Sequence, residues 1–192
     1  PRLLLVTEAD RLTALPPPAP AQPLRRRLEL AQLLDGLLQT GITDFPRAAL
    51  FDLAESLASL MEEMQGEGVT PDRIAALDVA EHSGHWARTQ AFLGIVAEAL
   101  KGDAPDAEGR LRRLVLDLTE GWATAPPKGP VIVAGSTGSR GTTALLMQAV
   151  ARLPQGAVVL PGFDFDLPDQ VWDSMDDALT AEDHPQYRFR RL

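Results

Sequence analysis

The sequence predicts an α/β protein in which a parallel sheet is interrupted by a large all-helical insertion, and three observations predict it. Short apolar runs suited to buried strands stand towards both ends: RLLLV at 2–6, VIVAG at 131–135, and a run at 157–161 that begins AVVL. Between them, about a hundred consecutive residues carry apolar positions at helical spacing. The stretch from 131 to 161 runs strand, loop, helix, strand, an order that makes its two strands parallel with a crossover between them.

Each element follows from local chemistry. After 2–6, the segment LPPPAPAQP (15–23) carries Pro16, Pro17, Pro18 and Pro20. Proline fixes φ and disfavours helix in the residue before it, so this segment is an extended spacer and helix begins only after it. From Leu24 the apolar positions 24, 28, 31, 34 and 38 mark a helix with Gly41 as its stop. A second helix runs from about Pro46, with Asp44 as its cap, through positions 50, 53, 57, 60, 61 and 64 to Gly66. Thr70-Pro71-Asp72 places a hydroxyl before a proline at the first helical position and starts a short helix to about Asp78. Two more follow, roughly 80–101 and 106–124, the latter using Leu111, Leu114, Val115, Leu118 and Trp122. APPKGP (125–130) breaks the pattern, and a helix at 142–153 separates the last two strands. The expected divisions are therefore 1–22, an N-terminal strand and proline-rich spacer; 23–125, the helical insertion lobe; and 126–192, the α/β part. No internal repeat of fixed period is visible.

Composition narrows the function classes. The 192 residues are 45% hydrophobic and 23% charged, enough for one core, or one core plus a lobe. No run approaches the roughly 18 apolar residues of a membrane helix, and no basic leader precedes a long apolar core. No cysteine is present, which excludes disulfides, thiolate metal sites and a cysteine nucleophile. A cytoplasmic protein without membrane partners is expected. The chain begins with Pro1 rather than Met and ends on FRRL, and is read as a piece of something longer. Its net charge of -9 opposes strong nucleic-acid binding, since phosphate contacts need clustered Lys and Arg. Three arginine clusters nevertheless stand out: Arg25, Arg26 and Arg27, the candidate DNA contacts; Arg110, Arg112 and Arg113; and Arg188, Arg190 and Arg191. Residues 163–177, FDFDLPDQVWDSMDD, are strongly acidic.

VIVAGSTGSRGTT (131–143) raises the question of a phosphate-binding loop. A nucleoside-triphosphate loop reads G-x-x-x-x-G-K-[ST], with the lysine neutralising the outer phosphates. With Gly141 as the second glycine, Ser136 takes the first glycine's place and Thr142 the lysine's. Arg140 cannot substitute, because lysine acts as a compact charge from a fixed place at the helix start. The spacing Gly135, Gly138, Gly141 is nearer the loop of short-chain dehydrogenases, with Arg140 available to a 2′-phosphate. Yet too little chain follows for the rest of such a sheet, and Tyr187, the only tyrosine, has no lysine after it. Gly135, Gly138, Arg140, Gly141 and Thr142 are the candidate cofactor-binding residues. The competing expectation is a structural turn, with Ser136, Thr137 or Ser139 capping the helix.

Other constellations are thinner. His82 and His85 lie one helical turn apart beside Glu81, but no third metal ligand accompanies them. Asp164, Asp166, Asp169, Asp173, Asp176 and Asp177 lack the glycine and terminal glutamate of a calcium loop and read as a solvated acidic edge. No serine sits in a G-x-S-x-G elbow. No catalytic residue, metal site or cofactor is expected.

The C-terminal third carries a resemblance. PVIVAGSTGSRGTTALLMQAVARLPQGAVVLPGFDFDLPDQVW (130–172) and EDHPQYRFRRL (182–192) resemble the AddB family of double-strand-break repair, as do PLRRRLELAQLL (23–34), MEEMQGEGV (61–69) and HWARTQAFLGIV (85–96). The resemblance covers nearly the whole chain. It implies a RecA-like, P-loop helicase-like domain with an inserted helical domain. It implies a parent that is an ATP-dependent helicase/nuclease subunit, paired with an AddA-type subunit and acting on DNA ends in recombinational repair. The chain then corresponds to an internal part of the helicase-like region, outside the nuclease. Where an active helicase carries its acidic ATPase motif after the returning strand, this sequence has AGSTG at 134–138, which implies an inactive motor kept as a scaffold. The alternatives from other classes are an NADP-type, dehydrogenase-like nucleotide-binding domain using 135–141, and a helical partner-binding module.

Overall fold

The computed structural model describes residues 18–40, 45–76, 84–99, 101–102, 104–175, 184 and 186–192. The strand expected at 2–6, with His82 and Glu81, lies outside them. The described chain is mostly helical, with one two-stranded parallel sheet, and it divides into two compact units, Pro17–Arg112 and Arg113–Leu192. No helix among the described residues is long and apolar enough to cross a membrane.

In the first unit, α1 (Pro23–Gln39) starts with proline at its first position, after an extended Gln22. A 3-10 turn, Arg47–Ala49, leads into α2 (Leu50–Glu67), followed by α3 (Pro71–Ala75) and α4 (Gly84–Ala99). Leu30, Ala31 and Leu34 of α1 form the core with Leu50, Ala54 and Leu57 of α2 and Val96 of α4. The buried face of α1 follows the expected stripe only in part: Ala31 and Leu34 are buried as expected, but so are Arg26, Leu30 and Leu37, whereas Leu24 and Leu28 are exposed. Leucines occupy both sides of this helix, so periodicity alone leaves its rotation undecided. The helix α2 runs on past Gly66, the expected stop. Gly68 closes it at φ 71°, where its N–H donates to Gln65 O and that of Val69 to Met64 O, the paired bonds of a glycine-terminated helix.

The first unit is tied where the chain enters and leaves it. Ala21 N–H donates to Pro105 O at 2.9 Å, Arg26 Nη2 to Ala104 O at 2.8 Å, and Arg110 Nε to Pro18 O at 3.0 Å. Beneath these bonds, Asp106 accepts from Arg26 Nε at 3.1 Å and from Gln65 Nε2 at 2.9 Å, while its own N–H donates to Gln65 Oε1 at 3.0 Å. Arg26 is 4% exposed and Asp106 is buried, so both charges are compensated inside the unit.

In the second unit, β1 (Val131–Ala134) and β2 (Gly156–Val159) pair in parallel with Val131 opposite Gly156 and Ala134 opposite Val159. The helix α6 (Gly141–Ala151) connects them, as the strand, loop, helix, strand order requires. Helix α5 (Ala107–Thr124) contributes Val115 and Leu118 to a core with Leu146 and Val150 of α6, against which Trp122, Val131, Val133 and Val158 pack. One face of the sheet is thereby covered. On the other face Ile132 and Val159 remain exposed. After β2 come α7 (Asp169–Ser174) and a 3-10 turn (Tyr187–Arg191), where Met175 and Tyr187 are buried with Leu167 and Trp172 against them.

Candidate functional site: the glycine loop and the arginine clusters

The glycine loop lies where the sequence places it, between the carboxyl end of β1 and the start of α6. Gly135 still belongs to the sheet edge, donating its N–H to Val159 O at 3.0 Å. The chain then turns through φ 76° at Gly135 and 65° at Gly138, backbone that side-chain-bearing residues rarely adopt. Ser136 Oγ accepts from Gly138 N–H at 3.3 Å and so stabilises the loop rather than the helix. The residue at the helix cap is Arg140, in extended conformation, and no side chain caps the helix there. The hydroxyl cap expected from Ser136, Thr137 or Ser139 is not formed: Arg140 holds the cap position, and Ser136 Oγ is engaged by Gly138 N–H.

Two features set the loop's chemistry. Thr142, at the lysine position of a triphosphate loop, is 3% exposed, so its side chain is enclosed by packed protein. The C-terminal turn also lies over the loop. Arg188 Nη1 donates to Ser139 O at 3.0 Å, and a Cβ at Gly138 would meet Met147 Sδ at 3.3 Å and Leu192 Cδ2 at 3.6 Å. Arg188 and Leu192 lie some fifty residues along the chain from the loop, and no local signal marks them as its neighbours.

The arginine clusters are bound into the protein's own structure. Arg25 pairs with Glu29 at 2.7 Å and Arg27 with Glu55 at 3.0 Å, both near the surface, while Arg26 turns inward to Asp106. In the second cluster, Arg112 Nη1 donates to Gly66 O at 3.0 Å and Arg113 approaches Asp117 at 3.6 Å. In the third, Arg190 lies over the Trp172 ring at 5.6 Å and 3.4 Å from Asp173. The three contiguous arginines thus divide by role: Arg25 and Arg27 present charge at the surface, and Arg26 holds the unit together.

Among the described residues no group of three or more His, Cys, Asp or Glu side chains could hold a metal ion. Asp164, Asp166, Asp169 and Asp173 stand exposed after β2, and Asp166 N–H donates to Asp164 Oδ1 at 2.9 Å in a local turn. Asp176 and Asp177 lie outside the described residues; His85 falls at the start of α4. Comparison with protein-family models, with curated proteins and with solved structures gives no significant match.

Proposed function

We propose that the chain is a non-catalytic, helicase-like scaffold segment of an AddB-type subunit, working with an AddA-type helicase-nuclease subunit in DNA end resection and double-strand-break repair. The observation that carries the non-catalytic reading is the glycine loop. It stands where a motor domain holds a triphosphate, at the carboxyl end of a parallel strand. Yet its lysine position is an enclosed threonine, and Arg188 and Leu192 occupy the space over it. No lysine stands at the position that compensates a triphosphate, the Arg188 guanidinium over the loop donates to Ser139 O, and the helix start adds only a few backbone N–H groups.

The finer architecture belongs to the same proposal. A strand, helix, strand unit with parallel pairing is the element from which a RecA-like core is built, and a helical unit whose ends are hydrogen-bonded to each other is suited to insertion in such a core. The parent is then an ATP-dependent helicase/nuclease subunit whose motor chemistry lies outside this segment. DNA is met through the assembled complex.

Two measurements test this. Millimolar Mg-ATP or NADP is expected to leave the melting temperature unchanged, whereas ligand at 100 times its dissociation constant stabilises by about 2.7 kcal/mol. A saturable shift lost in Arg140→Ala would replace this reading with the NADP-type one. A purified AddA-type subunit is expected to bind the chain joined to its AddB-type flanks; failure of that binding would remove the proposed partner.

A further inference from the structure

We infer that the helical unit holds a binding site for a small, neutral aromatic ligand, in a recess between α2, α3 and α4. The recess measures about 200 Å3 and is lined by Met61 and Met64 of α2, Ile74 of α3, and Leu93 and Val96 of α4. Its floor is the core itself: Val96 is 1% exposed, and Met61 and Leu93 pack against the core cluster. Gly94, also on the lining, is exposed, so the recess opens there. A Cβ added at Gly94 would meet nothing within 4 Å, which leaves the way in clear.

Size and polarity select the ligand. Protein interiors leave few voids larger than a water molecule, so a space of this volume within one unit is a feature of the fold. A dry apolar cavity of about 150 Å3 takes up benzene, and this recess has room for one substituted ring. A helix, about 10 Å across with its side chains, does not fit. Among the described residues of the wall, Gln65 is the one polar side chain, and its amide is spent on Asp106: Nε2 donates to Oδ2 at 2.9 Å, and Oε1 accepts from the N–H at 3.0 Å. A charged ligand would therefore lose its hydration without gaining a partner. The two thioethers favour an aromatic ring over an alkyl chain, because sulfur makes attractive contacts with ring edges. This inference stands independently of the AddB-type reading.

The probe is toluene, titrated into the full chain carrying isotope-labelled methionine methyls and followed by NMR, with benzoate, the same ring bearing a charge, as control. The chain has four methionines, and the other two, Met147 and Met175, are buried in the second unit. Saturable ring-current shifts are expected at the Met61 and Met64 methyls, with Met147 and Met175 unmoved and benzoate at least tenfold weaker. Gly94→Leu builds a side chain from the open mouth and should weaken toluene binding at least tenfold. Circular dichroism and melting check that this variant is folded, and Ala97→Leu, on the same wall, replaces it if it is not. No saturable shift, shifts at Met147 or Met175 alone, or unchanged toluene binding in the folded variant would overturn the inference. Benzoate binding as tightly as toluene would overturn the neutral class of ligand. Tighter binding of N-acetylphenylalanine amide than of toluene would overturn the small-ligand reading in favour of a partner's aromatic side chain.

Discussion

Removing the Arg26 guanidinium would leave the Asp106 carboxylate buried with Gln65 as its side-chain donor. Breaking a buried pair from one side costs about 3–5 kcal/mol, because the remaining charge keeps its desolvation penalty. Arg26→Met is therefore expected to lower stability by that amount in urea unfolding. Arg25→Ala and Arg27→Ala break surface pairs and should stay within about 1 kcal/mol of the parent. Equal losses from all three would contradict the division of roles. The sequence could not make this distinction. Three adjacent arginines look alike until Asp106, 80 positions away, is brought against one of them.

On α1 the two leucine stripes make opposite predictions. Leu30→Ala removes a fully buried side chain and should cost about 2–5 kcal/mol, while Leu28→Ala, on the exposed side, should cost well under 1 kcal/mol in the same measurement. At the loop, Gly138→Val is expected to destabilise folding itself. A branched residue at φ 65° carries roughly 1–3 kcal/mol of backbone strain, and its side chain would press on Met147 and Leu192. Gly138→Asn, which tolerates this conformation better, should recover part of the loss in a melting experiment. Loss of ligand binding in Gly138→Val would therefore be uninformative about nucleotide recognition; Arg140→Ala asks that question without placing a branched side chain at positive φ. The order of helices and the parallel β1–β2 pairing were legible because period and punctuation act locally. The rotation of α1, the end of α2 at Gly68, the helix α7 and the C-terminal turn over the loop were not. Each is decided by contacts between distant segments, or by a choice among several locally acceptable glycines.

Across the molecule, 27 acidic residues face 18 basic ones, and most described arginines of the three clusters are engaged with carboxylates or backbone carbonyls. DNA binding by the isolated chain is expected to be weak and to fall steeply with salt, since what remains is counterion release by a few surface charges. Tight, salt-insensitive binding in a fluorescence titration would contradict this. The net charge was readable from composition alone, but which arginines are committed to folding was not.

The tie between residues 18–26 and 104–110 makes the helical unit a nearly closed ring of chain. Because the protein has no cysteine, a thiol pair introduced as Ala21→Cys and Ala104→Cys would be its only sulfhydryls. If the seam stays shut in solution, the pair should oxidise readily under air or accept a short bifunctional cross-linker. Locking a ring of roughly 80 residues restricts the unfolded chain by about 4–5 kcal/mol in the loop-entropy account. The oxidised protein should then withstand more urea than its reduced form. Thiols that neither oxidise nor accept the cross-linker would contradict a closed seam.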